Sequence, residues 1–404
     1  MINYKAVKQI YNDMSRIPRE GEYERKIFHY TNTEVLDIIL KNATLRASHV
    51  LYLNDAEEYY QGINIIKGAL GDERNFGELS EVQGIFSISF SQGEDILSQW
   101  TTYAKESGVS IEFDDGLMSL EEKEGEPRFV FGIEDDATDN DEKYTHLVFN
   151  TSKVLHEIMY EQKNDPTVTS YIKDSYQKTC ETDVEGMPLY AAYIKDISFK
   201  AEKEIRAAFI YHQLIERLEE GADRYHPKLN YYRMDKGILR PYINVRILQL
   251  TNTFRDDCEE YEPMLPIKSI TIGPSGSQQA VFNSIVHRIK YGESKVYDYT
   301  KDVKRFNEQF QSYLEDVWDW ITQNRDLTIS LNASSNLEEG VKSELVTQWK
   351  QNNPEEAYII ENISPVELTD MRKQIIHIIQ EVNKNFYFSK QGILIKKSKI
   401  PYIF

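Results

Sequence analysis

The chain has 404 residues, of which 40% are hydrophobic and 12% aromatic, and its formal net charge is −19 at pH 7. This apolar content excludes a disordered chain, and the length exceeds the roughly 250–300 residues at which single hydrophobic cores stop growing. The negative charge argues against a general nucleic-acid-binding protein, although a local basic groove remains compatible with it.

The cysteines and the amino terminus bear on the cellular compartment. Cys180 and Cys258 are too few for a disulfide framework, so we expect a reducing cytoplasm. Residues 1–17 alternate charged and apolar residues at helical spacing and contain no cleavage site, so we expect no secretion. Because no stretch approaches the roughly 18 apolar residues that span a bilayer, we also expect no membrane association.

The first third of the sequence predicts a mixture of helices and strands. An N-terminal segment, 1–25, contains a predicted helix that ends before Pro18, because proline disfavours helical geometry at the preceding residue. Alternating apolar residues predict strands at Ile27–Tyr30, Thr44–Ala47, Gly84–Phe90 and Val109–Phe113. Helical spacing predicts helices at Thr33–Leu40, at Glu57–Ala69 and around Trp100 and Tyr103.

The rest of the chain predicts an insertion, a return to the sheet and a helical unit. An acidic loop at Asp135–Glu142 and a largely helical stretch at Tyr144–Gln177 predict a helical insertion at about 140–186. Further strands are predicted at Ile205–Tyr211, Tyr242–Ile247, Ile267–Ile272 and Gly392–Lys397. Thr300–Lys384 is predicted to be helical, since apolar residues recur there at three- and four-residue steps.

These elements together predict an α+β fold. A main domain is expected at 26–299, a helical unit at 300–388, and a strand that closes the main domain at 389–404.

The first candidate site is Phe28–Thr31, at the end of a predicted strand and directly before a helix that begins near Asn32. A strand that leads into a helix amino terminus brings polar side chains and free backbone N–H groups to one point, which suits a ribose or a phosphate. His29, Tyr30 and Thr31 are therefore candidate ligand-binding residues. The alternative is that His29 and Tyr30 are packing residues of the core.

The second candidate site is the segment that contains Glu202, Glu204 and Arg206. On a strand, residues two apart share a face, so these three side chains are expected to project together while Ile205 points into the core. Two neighbouring carboxylates repel unless a cation or a donor lies between them. The alternative is an exposed strand face with a Glu–Arg pair.

The third candidate site is the strand that contains Ser87, Ser89 and Ser91. Alternation places these serines on one face and three apolar residues on the other, so the serine side is expected to meet solvent or a polar ligand. Trp100 and Tyr103 follow on one face of a helix. Tyr103 is the stronger ligand candidate of the two, because most tryptophans are core residues and a tyrosine hydroxyl requires a partner.

Several classes of enzyme lack their motifs. The sequence has no HExxH and no paired CxxC, so we expect no metal. Neither a GxSxG nucleophile elbow nor a GxGxxG after a strand is present, so a serine hydrolase and a Rossmann dehydrogenase are disfavoured.

Taken in order, the motifs resemble the ADP-ribosyltransferase superfamily, and more closely an uncharacterised bacterial family placed with it. The shared motifs are FHYT at Phe28–Thr31, LND-x-x-E at Leu53–Glu58, FSxSFS…W…YA at Phe86–Ala104, ExExR at Glu202–Arg206, IGP at Ile272–Pro274 and SxIPY at Ser398–Tyr402. The sequence departs from the pattern at Ile205, where an aromatic residue is frequent, and at Ile403, where an arginine is expected.

The resemblance implies a split antiparallel sheet flanked by helices, with NAD bound as the substrate. Cleavage of the nicotinamide–ribose bond produces an oxocarbenium-like transition state, which a nearby carboxylate stabilises. Glu204 is expected to supply that carboxylate, braced by Ser89, and Glu202 to deprotonate the acceptor. His29 is expected to hold a ribose hydroxyl, and Tyr30 or Tyr103 to stack on the nicotinamide. Arg206 is expected to neutralise the glutamates, or else to contact a phosphate.

The acceptor and the biological role stay open at this point. Water, a protein and a nucleic acid are all compatible acceptors, and the net charge favours a protein over a nucleic acid. The resemblance suggests a toxin or a phage-defence effector, with an antitoxin or another defence partner docked on residues 300–388. The alternatives are a sensor that binds a nucleotide without catalysis and an interaction protein whose motif cleft is inactive.

Overall fold

The computed structural model describes residues 26–53, 56–70, 84–103, 107–118, 129–134, 146–161, 187–211, 228–233, 237–253, 259–323, 347 and 380–401. The chain is mixed α+β, with one large and mostly antiparallel sheet. The predictions for residues 1–25, for the acidic loop at 135–142 and for most of the insertion lie outside the described residues.

Apart from residues 347 and 380–385, which are also helical, the described residues contain seven α-helices and sixteen strands. The helices are α1 Thr33–Asn42, α2 Ala56–Leu70, α3 Leu97–Tyr103, α4 Thr151–Val154, α5 Met187–Ala191, α6 Gln278–Tyr291 and α7 Val303–Gln323. The strands are β1 Ile27–Asn32, β2 Thr44–His49, β3 Ile85–Ser91, β4 Gly108–Phe113, β5 Phe129–Glu134, β6 His146–Asn150, β7 Leu155–Glu157, β8 Met159–Glu161, β9 Ile194–Asp196, β10 Glu204–Ile210, β11 Leu229–Arg233, β12 Leu239–Thr253, β13 Glu259–Pro263, β14 Ile267–Ile272, β15 Phe386–Phe388 and β16 Leu394–Lys397.

Fourteen of these strands form one sheet, and β8 and β9 form a separate parallel pair. The main path of the sheet is β15-β16-β14-β4-β1-β3-β2-β12-β5-β6, while β10 pairs with β3 and β7, and both β11 and β13 pair with β12. Within the large sheet, β14 and β16 run parallel, whereas the other described pairs are antiparallel. The C-terminal strand therefore returns to the sheet, as its alternation predicts.

The two faces of the central strands differ in chemistry. Directly paired residues place their side chains on the same face, so Ser89 and Ser91 of β3 share a face with Arg206 and Glu204 of β10. We call this the serine face. The opposite face carries apolar residues such as Phe90, Ile111 and Ile270, and helices α1 and α6 contribute buried residues to the same core. The alternation predicted for β3 is confirmed.

Helix α7 packs against the edge of the sheet formed by β15 and β16. Leu314 and Val317 are buried in one cluster with Phe386 and Leu394. At the other end of α7, the guanidinium of Arg305 pairs with the buried carboxylate of Asp114, which follows β4. Within the stretch predicted to be helical, helix is observed at 303–323 and at 380–385.

The helical prediction for one stretch of the chain is wrong in the residues that the structure describes. The stretch Tyr144–Gln177 was expected to be largely helical, but its described part contains β6, β7, β8 and the single turn of α4. Residues 146–150 pair with β5, and 155–157 pair with β10. Short strands of this kind are set by long-range pairing, which a window of sequence does not contain.

A search of the described helices finds none whose length and hydropathy suit a membrane crossing.

We predict that Arg305→Ala lowers the free energy of unfolding by about 3–5 kcal/mol, because it removes the guanidinium that pairs with the buried carboxylate of Asp114 and leaves the Lys268 ammonium, 4.0 Å away, beside it. The matched control is Arg288→Ala, which breaks the more exposed ion pair with Asp37 and is expected to cost less than about 1 kcal/mol. Denaturant unfolding of the two variants measures the difference. Equal losses would contradict the assignment of Arg305 as a buried anchor of α7.

A second prediction concerns pH. Burial lowers the pKa of His49 from 6.5 to about 4, and its Nδ1 accepts a hydrogen bond from the N–H of Leu51, which requires a neutral ring. Because the unfolded state binds this proton first, the contribution of His49 to stability is present above pH 6.5 and is lost as the pH falls toward 4. We expect His49→Asn to reduce the slope of stability between pH 6 and pH 5 by up to about 1.4 kcal/mol per pH unit. The exposed His287, replaced by Asn, is the control, and an unchanged slope in His49→Asn would refute the prediction.

Candidate functional site

Five charged side chains meet on the serine face, and we call them the charge cluster: Glu58, Lys195, Glu202, Glu204 and Arg206. The Lys195 ammonium lies 3.0 Å from Glu58 Oε2, 2.7 Å from Glu202 Oε2 and 3.2 Å from Glu204 Oε2. An ammonium therefore occupies the centre of three carboxylates. No group of acidic, histidine or cysteine side chains in the described part of the chain has the arrangement of a metal site.

Arg206 closes the other side of the charge cluster. Its Nη2 lies 2.6 Å from both Glu58 Oε1 and Glu204 Oε1, and its Nε donates to the same oxygen of Glu204 at 2.9 Å. Its Nη1 donates to the backbone carbonyl of Ala192 at 2.7 Å. The planar fork of arginine suits these simultaneous contacts. Arg206 thus contacts Glu58 and Glu204, whereas the sequence predicts that it neutralises Glu202 and Glu204.

The strand prediction for Glu202 is wrong. Glu202 ends a 3₁₀ helix, Ile197–Glu202, and Lys203 then adopts a left-handed conformation with φ 47°, so β10 begins at Glu204. Alternation along a strand therefore places Glu204 and Arg206 together but does not place Glu202. Glu202 reaches the same position through the turn, and Lys195 holds it there. Ile205 is fully buried on the opposite face, as predicted.

Neighbouring opposite charges favour the charged forms of Glu204, Lys195 and Arg206 although all three side chains are buried. Three carboxylates and two cations give a sum of −1 if all five groups are charged. Burial alone raises the pKa of Glu204, but the charges of Arg206 and Lys195 and a hydrogen bond from the Ser89 hydroxyl outweigh it, so the pKa is lowered. Burial likewise lowers the pKa of Lys195, and Glu204 and Glu58 more than compensate, so that pKa is raised.

The serines of β3 connect the charge cluster to the neighbouring backbone. The Ser89 hydroxyl bonds the Glu204 carboxylate, and the Ser91 hydroxyl donates to the backbone carbonyl of Glu202 at 2.7 Å. The N–H of Glu204 donates to the Tyr160 hydroxyl at 2.6 Å. The serine side of this strand thus meets a buried polar cluster rather than bulk solvent.

Tyr103 is the exposed aromatic residue beside the charge cluster. Its side chain is 39% exposed, whereas Trp100 on the same helix is 2% exposed. Partial burial and the negative charge of Glu204 raise the pKa of Tyr103 to about 12, so its hydroxyl stays protonated and able to donate. Of the two aromatic residues of α3, Tyr103 is accessible to a ligand.

His29 lies on the other side of β3 from the charge cluster. The pairing of Phe28 with Ser91 assigns Phe28 to the serine face, so His29 and Thr31 belong to the opposite face. The ring of His29 lies 5.6 Å from that of Phe90, and its Nδ1 is 3.0 Å from the Ser89 carbonyl oxygen. Burial lowers the pKa of His29. His29 and Glu204 thus both contact Ser89, at its carbonyl and at its hydroxyl.

Tyr30 is on the serine face but is covered. It is 8% exposed and its ring packs edge-on against Trp100 at 4.8 Å. Its hydroxyl donates to the carbonyl of Gly93 at 2.8 Å and accepts from the N–H of Ile96 at 3.0 Å. Tyr30 therefore fixes the loop that leads into α3, and it presents little ring surface to a ligand.

The SxIPY segment holds the same loop from the outside. One carboxylate, Asp95, accepts from the Trp100 indole at 2.6 Å, from the Ser398 hydroxyl at 2.7 Å and from the Lys399 N–H at 2.9 Å. Ile400 packs on the cluster of Phe28, Tyr30 and Trp100. The C-terminal segment thus positions α3 and, through it, Tyr103.

Sequence reasoning missed two members of the charge cluster, Lys195 and Glu58. Glu58 ends the LND-x-x-E motif, so its place in that motif is a usable signal. Lys195 carries no such signal. It lies on β9, nine residues before Glu204, and only the fold brings the two together.

Comparison with known proteins matches one family model to the part of the chain that contains most of the charge cluster. A family model described as "Protein of unknown function (DUF2971)" matches residues 99–207, about a quarter of the chain. No curated protein matches the chain, and no solved structure does so either. The matched segment contains Tyr103, Lys195, Glu202, Glu204 and Arg206.

We predict that Arg206→Leu destabilises the fold by about 3–5 kcal/mol, because it changes the sum of charges in the charge cluster from −1 to −2 in a buried position. The double variant Glu204→Leu/Arg206→Leu restores the sum to −1 and is expected to recover much of that loss. Denaturant unfolding of both single variants and the double variant forms a double-mutant cycle. Additive losses would show that the two residues do not depend on each other.

Proposed function

We propose that this chain is an NAD-dependent ADP-ribosyltransferase, or an NAD glycohydrolase when water is the acceptor, and that its sheet corresponds to the split sheet of that superfamily. The observation that carries the proposal is the buried Glu204 carboxylate, kept ionised by two cations and bonded to the Ser89 hydroxyl. The ordered series of motifs supports it independently.

The charge cluster suits a cationic transition state. When the bond between the nicotinamide nitrogen and the ribose carbon breaks, its electron pair leaves with nicotinamide and positive charge develops on the ribose. A preorganised negative charge in a water-poor site stabilises that ribose without reorganisation. The residual charge of −1 in the charge cluster has the required sign, and Glu204 is the member that we assign to the ribose.

Glu202 is suited to the second step. Its side chain is 12% exposed, compared with 5% for Glu204 and 8% for Glu58, so it is the most accessible of the three carboxylates. In our proposal, the acceptor attacks the ribose carbon and gives up its proton to Glu202 as the new bond forms. Tyr103 packs its ring on the nicotinamide, and His29 acts as a positioning residue that holds the backbone of Ser89.

A second candidate function is nucleotide binding without turnover. It is favoured by the engagement of both oxygens of Glu204, since Oε1 accepts from Arg206 and Oε2 lies 3.2 Å from Lys195. Catalysis requires that a ribose hydroxyl joins or displaces one of these contacts, whereas a sensor requires only that NAD binds nearby.

The biological role that we propose follows the resemblance: a toxin or a phage-defence effector with a macromolecular acceptor. The described part of the helical unit, α7, is then a docking element for an antitoxin or another defence partner.

We predict that the wild-type chain releases nicotinamide from NAD, and that Glu204→Gln lowers the rate about 10²- to 10³-fold by removing the charge. The matched control is Glu262→Gln, an isosteric change at an exposed glutamate of β13, which is expected to keep the wild-type rate. Nicotinamide is measured by liquid chromatography, and NAD binding by calorimetry.

Binding of NAD by the wild type without release of nicotinamide would replace the transferase by the sensor. If Glu204→Gln loses its fold, Glu202→Gln provides the test, because it is expected to slow transfer to an acceptor while NAD binding persists.

A further inference from the structure

A hairpin of β11 and β12 extends beyond the end of β2. Residues 239–241 at the start of β12 pair with β11, and pairing with β2 begins only at Tyr242, opposite Ser48. This hairpin and β2 form a separate part of the serine face, because Ser48 also pairs with Ser87 of β3. Three strand spacings separate β12 from β10, which is about 14 Å along the sheet.

Arginines and tyrosines alternate on the serine face of this hairpin. The Arg46 guanidinium lies 5.1 Å from the ring centroid of Tyr242 and 5.7 Å from that of Tyr232. Arg240 lies 5.5 Å from the Tyr232 ring, and the two tyrosine rings are 5.7 Å apart. The strand register explains why these four side chains lie together. Tyr232 is directly opposite Arg240. Arg46 is opposite Asn244, which lies two residues from Tyr242 and on the same face. We call these four residues the arginine–tyrosine layer.

The local charge is opposite to that of the whole chain. The described residues 228–233 and 237–246 contain four basic residues and no acidic residue, a net charge of +4, while the chain as a whole carries −19. The acidic strand β13 pairs with the other end of β12, at residues 248–253, so the basic residues are concentrated at the hairpin. Because screening limits charge interactions to about 8–10 Å at physiological salt, the local excess governs what binds here.

Apolar side chains are exposed at the free end of the hairpin. Tyr231 and Leu239 are each 57% exposed, and Ile238 is 48% exposed. Tyr231 and Leu239 lie on the opposite face of the hairpin from the arginine–tyrosine layer, because each is next to Tyr232 or Arg240 along its strand.

We propose that the β11–β12 hairpin binds single-stranded nucleic acid. Phosphates would be held by the half-buried Arg46, and unpaired bases would stack on the tyrosine rings of the layer. Duplexes are disfavoured, because their bases are already stacked and their faces are not available. An acidic protein surface would satisfy the charge but would not use the aromatic rings.

This inference goes beyond the proposed function and does not depend on NAD. Oligonucleotide binding that persists in Glu204→Gln, or in a chain that releases no nicotinamide, leaves it intact. The two proposals therefore fail separately.

The test is the fluorescence anisotropy of a fluorescein-labelled 20-nucleotide single strand, titrated with the purified full chain at 50 and 200 mM salt. We expect the single strand to bind more tightly than the matching duplex. Tyr232→Leu should weaken binding about 5- to 100-fold through the loss of base stacking. Arg46→Gln should reduce the slope of log affinity against log salt by about 0.7.

Two matched variants control for general effects. Tyr291→Leu removes another exposed tyrosine, 67% exposed and 5.2 Å from a lysine ammonium, and Arg288→Gln removes a partly exposed arginine, both on α6. Both are expected to bind within about twofold of wild type. If Tyr232→Leu does not fold, Tyr242→Leu, which removes the other tyrosine ring of the layer, decides the same question.

The proposal is overturned if the wild type does not bind the single strand, or if the control variants weaken binding as much as the hairpin variants. Equal competition by polyglutamate would also overturn it and would point to an acidic protein as the partner.

Discussion

Lys195 and Arg206 are held among three glutamates between the sheet and α2, and the candidate site depends on this arrangement. An ionised side chain without a partner is costly to bury, so each of these charges is tolerated only because the others are present. The same arrangement keeps Glu204 ionised in a position where burial alone would favour its neutral form. The stability of this site and the ionised state of Glu204 therefore depend on the same contacts.

The regular parts of the fold follow from local pattern. Alternation at 84–90 and 205–211 is a property of neighbouring residues, and both strands form within one residue of their predicted bounds. The helix after β1 begins at Thr33 and is capped by Asn32, whose side chain accepts from the N–H of Val35. Because these signals lie within a few residues of each other, the sequence contains them, and the pairing of Ser89 with Arg206 then follows from the sheet.

The positions of the other site residues could not be predicted from the sequence, because they depend on contacts between distant residues or on one unusual backbone dihedral angle. The left-handed conformation at Lys203 takes Glu202 off the strand, although lysine is not a residue type that marks such a turn. Lys195 and Glu58 join Arg206 from separate elements, and Glu58 and Arg206 are 148 positions apart in the sequence. His29 was expected on the same side as Glu204, but the single pairing of Phe28 with Ser91 sets its face, and that register is a tertiary property.

We propose that the NAD ribose lies against Glu204 on the serine face, with Tyr103 at its open side. The most direct measurement is a crystal structure of the full chain with an unreactive NAD analogue. We predict a ribose hydroxyl within hydrogen-bonding distance of the Glu204 carboxylate and the nicotinamide ring packed on Tyr103. An analogue bound elsewhere, with the contacts of Glu204 to Arg206 and Lys195 unchanged, would contradict the account.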